Sequence, residues 1–106
     1  PFTQLAKHHI FPKEFLEENL NIDDPDEREI YINNLANITF VHKDINSEIG
    51  DEPPERYLGK YINSAKKHFI PTEESLWKLD QYNTFLEYRI KEIYNEGRRQ
   101  FEKIFD

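Results

Sequence analysis

The spacing of apolar residues changes along this chain, and each change of spacing predicts an element. His8-His9-Ile10-Phe11 runs into Pro12, which disfavours helix in the residue before it, so the segment reads as a brief strand entering a turn. From Lys13 to Leu20 the apolar positions Phe15, Leu16 and Leu20 fall on helical steps, which predicts two helical turns. Asp24-Pro25-Asp26-Glu27 has the makings of a helix start: Asp24 as cap, Pro25 in the first position and Glu27 closing a capping box. That helix is expected to end near Asn34. Asn37 to Val41 is β-branched and aromatic and reads as a second strand, and Lys43 to Ile49 as a short helix stopped by Gly50.

Pro53-Pro54 restarts the chain. Tyr57, Leu58, Tyr61 and Ile62 then predict one helix from Pro54 to Ile62, and Thr72 with Glu73 and Glu74 predicts another helix start. The last helix opens on a capping box, Thr84 to Glu87, and carries a stripe of Leu86, Ile90, Ile93, Gly97, Phe101 and Ile104. The fold class is therefore α+β: a short β-hairpin with a following helix, then further packing helices, mostly helical overall. Tyr57, Tyr61, Trp77, Phe85 and Phe101 are expected in the core.

At 106 residues the chain has room for a single domain spanning residues 1–106. Its 33% charged content would suit a disordered chain, but 8 Phe, 6 Tyr and 1 Trp supply the bulky apolar surface such chains lack. With no cysteine, a disulfide framework and a cysteine zinc cluster are excluded, and any metal must be held by His, Asn or carboxylates. No apolar run is long enough to cross a bilayer, so a cytoplasmic location is expected. Pro1 stands where a complete chain would start with Met, so the sequence reads as a C-terminal fragment of a longer protein.

The net charge of -7 argues against a protein that coats nucleic acid through a basic surface. The acid is concentrated from Glu14 to Glu29, while Arg89, Lys91, Arg98, Arg99 and Lys103 gather near the C-terminus, so a basic face is still available.

The chemistry sits in four ordered blocks: His8-His9-Ile10-Phe11-Pro12-Lys13, Asn34 to Phe40, Asn46 to Gly50, and Pro54 to Leu58. Together they resemble the HNH (ββα-metal) nucleases, and among them the C-terminal HNH domain of GmrSD-type restriction proteins. The resemblance covers about half the chain, with Phe85 to Ile93 similar to the family's final helix. It implies a metal-dependent endonuclease that hydrolyses DNA phosphodiester bonds, with His9 as general base and Asn37 fixing the hairpin and holding the His9 ring. His8 and Asn46 would bind one divalent metal ion.

Many HNH motifs carry an acidic residue where this chain has His8. A neutral imidazole there tilts the expected ion from Mg²⁺ toward Mn²⁺, Ni²⁺ or Zn²⁺. The resemblance also implies DNA as partner, an upstream ParB-like nucleotide-hydrolysing domain in the same or a partner chain, and a role in defence.

Other readings of the same residues stand beside this one. A His-His pair is more often two ordinary histidines, and Asn37 and Asn46 have local reasons to sit at turns and caps. Lys13, Lys43 and Lys60 flank the motif and are candidate phosphate contacts, or plain solubilising lysines. His42 reads as a solvent-facing turn residue and His68 as part of a solvated surface. A non-catalytic protein-interaction module on the same scaffold, or an RNA-directed nuclease, remains an alternative function.

Overall fold

A computed structural model describes residues 4–105. Pro1, the residue read as the cut end of a longer chain, lies outside the described residues. The only ladder among them joins β1 (Leu5–His9) to β2 (Ile38–His42), antiparallel, with register from Leu5 opposite His42 to His9 opposite Ile38. Between the strands run α1 (Lys13–Asn19), α2 (Pro25–Ile32) and a 3₁₀ turn at Leu35–Asn37. After β2 come α3 (Lys43–Ile49), α4 (Pro54–Tyr57), α5 (Ile62–Lys67), 3₁₀ turns at Glu74–Trp77 and Leu79–Gln81, and the long α6 (Tyr82–Phe105). The two-stranded ladder and its mostly helical surroundings match the expected α+β class.

A two-stranded ladder is marginal alone in water and needs a packed face. Side chains alternate across it, so His8 is buried while its neighbour Lys7 is exposed. The centre of the core is Phe11, fully buried, with the rings of Tyr82 and Phe85 meeting it edge to face at 5.0 and 4.9 Å. Tyr82 extends the cluster to Tyr31, ring to ring at 4.9 Å, and its hydroxyl donates to the Tyr31 carbonyl. Phe11 belongs to the turn that follows β1, so the core and the His-His strand end are built from adjacent residues.

The start of α6 differs from expectation. The helix begins at Tyr82, so Thr84 lies within its first turn and does not cap it. The buried Tyr82 ring fixes the start, a tertiary anchor that overrides the local capping signal. Only the first part of the helix is core: Tyr82, Phe85, Leu86 and Arg89 are buried, whereas Ile90, Ile93, Phe101 and Ile104 are exposed. The stripe therefore outruns the body it packs on, and Phe101 is not a core residue.

Arg89 was grouped above with a basic surface; it is instead 3% exposed. Its guanidinium donates to the carbonyls of Ala36 at 2.7 Å, Ile38 at 3.0 Å and His68 at 2.9 Å, tying α6 to the β2 entry and to the end of α5. Burial brings its pKa down to about 10, which leaves it charged at neutral pH.

The expected helix from Pro54 to Ile62 is broken in two, with Gly59 in the intervening turn, where a helix is weakest. The helix expected from Thr72 is replaced by the two 3₁₀ turns. Trp77 folds back so that its indole N–H donates to the Pro71 carbonyl at 2.7 Å, and the backbone follows the buried ring. Asp24 does cap α2, by accepting from the Asp26 N–H at 2.9 Å.

Candidate metal centre

α3 is short, and both its ends are fixed by particular residues. At its start His42 Nδ1 accepts from the Asp44 N–H at 3.3 Å, so the exposed His42 is the helix cap. At its end Gly50, with φ of 59°, donates its N–H to the Asn46 carbonyl at 3.1 Å. This left-handed conformation strains any residue with a Cβ. Asn46 therefore sits on a helical turn held from both sides, one turn after Lys43.

β1 brings His8 to the same place. Its Nδ1 lies 2.9 Å from Asn46 Oδ1, across 38 residues of sequence. Its Nε2 lies 3.0 Å from the Tyr57 hydroxyl, which in turn donates to the Ile10 carbonyl at 2.6 Å. Burial pushes the His8 imidazole pKa below its ordinary value of 6.5, the hydrogen bond with Asn46 opposing and the nearby His9 and His68 adding to it. The Tyr57 hydroxyl is pushed upward by burial and stays protonated.

An amide oxygen has no hydrogen to give, so the contact between Asn46 Oδ1 and His8 Nδ1 is completed by a proton on Nδ1, by a cation, or by a half-turn of the amide that presents its Nδ2–H instead. Burial works against the doubly protonated ring. Imidazole nitrogen and amide oxygen are both recognised ligands of divalent ions, so the two residues fit a metal ion. Among the described residues no group of three or more His, Asp or Glu converges, so the donor set here is one neutral nitrogen and one neutral oxygen. A set without a carboxylate suits Mn²⁺, Ni²⁺ or Zn²⁺ better than Mg²⁺.

His9, the last residue of β1, turns to a different partner. Its Nε2 lies 2.8 Å from Asn33 Oδ1, at the C-terminal end of α2. Because that oxygen accepts, the Nε2 carries the hydrogen and Nδ1 keeps a lone pair able to take a proton. His9 is half-buried and adjoins His8 in the strand.

Asn37 is fully buried and does hold the turn after β1, but it does not hold the His9 ring. Its Oδ1 accepts from the Phe11 N–H at 2.8 Å and its Nδ2 donates to the carbonyls of Phe11 at 3.0 Å and Ile32 at 3.1 Å. All of its amide capacity goes to backbone, and the residue that orients His9 is Asn33. The four predicted groups thus form three clusters: His8 with Asn46, His9 with Asn33, and Asn37 beneath the turn.

The three flanking lysines differ. Lys43 is exposed at the first position of α3, and Lys13 is exposed at the first position of α1, beside Glu17, Arg28 and Glu29. Lys60 is paired with Glu48, which raises the lysine pKa and lowers that of the carboxylate, and its charge also lies over the Tyr61 ring at 5.5 Å. His68 is a half-buried residue whose Nδ1 bonds Thr39 Oγ1 at 2.8 Å, and not a solvated surface histidine.

Sequence reasoning missed three residues. Tyr57 was placed in the core without its hydrogen bonds, Asn33 was not singled out, and Arg89 was placed on the surface. Nothing local distinguishes any of them, because each acts on a residue at least 21 positions away.

The ββα arrangement brings a His/Asn pair and a second histidine to one end of the hairpin. The chain belongs to the family of C-terminal domains of GmrSD restriction endonucleases, which matches residues 2–99. No curated protein and no solved structure matches the chain. Among the described residues no helix is long and apolar enough to cross a membrane.

Proposed function

We propose that this domain is a metal-dependent endonuclease of HNH type that hydrolyses phosphodiester bonds in DNA. The observation that carries the reading is the pair of unlike donor atoms, His8 Nδ1 and Asn46 Oδ1, held 2.9 Å apart from opposite ends of the ββα segment. Family membership supports the reaction class.

His8 and Asn46 hold the ion, which when bound lends Lewis acidity to the scissile phosphate. His9 accepts the proton of the attacking water at Nδ1, while the hydrogen bond from Nε2 to Asn33 keeps the ring in the tautomer able to do so. The water oxygen forms a new bond to phosphorus, one phosphorus–oxygen ester bond breaks, and the departing oxygen takes a proton from solvent. Lys43, one turn from Asn46, and Lys13 are the phosphate contacts this reading favours; Lys60 joins them only on leaving Glu48. In the full protein the domain follows a ParB-like nucleotide-hydrolysing domain and acts in the cytoplasm in defence against foreign or modified DNA.

The test is plasmid cleavage in Mn²⁺ or Mg²⁺ by the wild-type protein and by His9→Ala, together with calorimetric binding of Mn²⁺ to wild type, His8→Ala and Asn46→Ala. Loss of cutting on His9→Ala with ion binding retained, and loss of binding in the other two, support the assignment. Equal cutting by wild type and His9→Ala removes His9 as the base.

A further inference from the structure

We infer that Tyr57 is a positioning residue that locks the His8 imidazole in one tautomer, with hydrogen on Nε2, and so keeps Nδ1 as the lone pair facing Asn46. The argument follows the hydrogens. A carbonyl oxygen only accepts, so the 2.6 Å contact with Ile10 commits the single hydrogen of the Tyr57 hydroxyl. What the hydroxyl has left for His8, at 3.0 Å, is a lone pair, and the His8 Nε2 that meets it supplies the hydrogen. A neutral imidazole has one N–H, and it is spent there; Nδ1 then accepts from the Asn46 amide turned to present its Nδ2–H, or shares a cation with the Asn46 oxygen.

The arrangement is fixed by its surroundings. Tyr57 is 7% exposed and His8 5%, so no water competes freely for either group. The two rings meet edge to face at 5.6 Å and 78°, which restricts rotation of both. Ile10 is the second residue after His8 and fully buried, and its own N–H donates to the Asn37 carbonyl at 2.8 Å, so the acceptor at the head of the chain is immobile. The order Ile10 carbonyl, Tyr57 hydroxyl, His8 imidazole is a relay of hydrogen-bond direction running from the strand end into the donor pair.

A histidine that binds a metal commonly gives its other N–H to a neighbour that fixes its tautomer and raises its basicity, and losing that neighbour costs about 10- to 100-fold in affinity. An acidic residue needs no such help, since either oxygen can serve; an imidazole in that place needs its tautomer set. Tyr57 supplies what the change to His8 demands. The inference relies on the proposed metal site for its purpose, while the tautomer rests on the bonds that link His8, Tyr57 and Ile10.

The experiment is nitrogen-15 NMR of the His8 ring in the ion-free 106-residue chain at neutral pH, for wild type and Tyr57→Phe, with calorimetric titration of Zn²⁺ into both. Wild type is expected to show a protonated, pyrrole-type Nε2 and an unprotonated Nδ1. Tyr57→Phe is expected to show a mixture of tautomers and a 10- to 100-fold weaker affinity for Zn²⁺. A wild-type ring protonated at Nδ1 overturns the inference, as does a Tyr57→Phe ring whose tautomer does not change. If Tyr57→Phe fails to fold, the wild-type spectrum still decides. A wild-type ring in the expected tautomer that binds no Zn²⁺ upholds the role of Tyr57 and overturns the metal-site reading, so the two can fail separately.

Discussion

Asn37 and Phe11 are 26 residues apart, yet the Asn37 amide satisfies both the N–H and the carbonyl of Phe11, at 2.8 and 3.0 Å. The side chain acts as a short piece of strand, completing backbone that leaves the ladder to turn into α1. Replacing it with Ala leaves the buried Phe11 N–H and carbonyl and the Ile32 carbonyl without their partner. Each such group costs about 1 to 3 kcal/mol, so Asn37→Ala is expected to lose about 3 kcal/mol or more in urea unfolding. Asn37→Asp retains the acceptor for Phe11 but loses both donated bonds, and is expected to unfold at a lower urea concentration than wild type.

His9 and Asn33 act as base and orienting group in the proposed mechanism, which gives them separable effects. His9→Ala is expected to slow single-turnover cleavage by about 100- to 10,000-fold. Asn33→Ala removes only the acceptor for Nε2 and is expected to cost about 10-fold in rate. Calorimetry should find ion affinity largely retained in both, because neither is one of the two proposed ligands.

Arg89 is a buried cation whose hydrogen bonds all go to carbonyls among its described partners. Arg89→Lys keeps the charge but cannot span Ala36, Ile38 and His68 at once. It is expected to lower stability by about 2 to 4 kcal/mol, read as a shift of the thermal unfolding midpoint. Substitution of the exposed Arg98 or Arg99, each in an ion pair within α6, is expected to change it by less than about 0.5 kcal/mol.

Burial, with a smaller contribution from the charge of Arg89, lowers the pKa of His68 below its ordinary 6.5. In the unfolded chain the ring takes its proton near the ordinary value; in the folded chain it resists until the pH is lower. Between those two points the unfolded state binds more protons, so stability rises with pH and falls as the solution is acidified below about 6.5. The urea midpoint is expected to be lower at about pH 5 than at about pH 7.5. In His68→Asn, which keeps a polar partner for Thr39, that difference is expected to shrink.

How much could be read from the sequence depended on how local the cause was. Pro12, Pro25, Gly50 and the Asp24 cap act within a few residues, and the elements they bound fall close to where the sequence puts them. The start of α6 and the turns at Glu74–Trp77 answer to buried rings, Tyr82 and Trp77, and local signals there gave the wrong start. The pairing of His8 with Asn46 was legible because four ordered blocks carried it. The roles of Asn33, Tyr57 and Arg89 were not, since each depends on which distant group the fold brings within hydrogen-bond reach.

The pairing of β1 with β2 also has a thermodynamic consequence. His8 and Asn46 come together only when the two strands meet, so an ion held by both recognises the native chain and ignores the denatured one. Such an ion shifts the folding equilibrium by mass action, by about 2.7 kcal/mol at a free concentration one hundred times its dissociation constant. The melting temperature should therefore climb with the logarithm of ion concentration, and its ranking across Mn²⁺, Ni²⁺, Zn²⁺ and Mg²⁺ reports which of them the pair selects, without a nucleic acid in the tube.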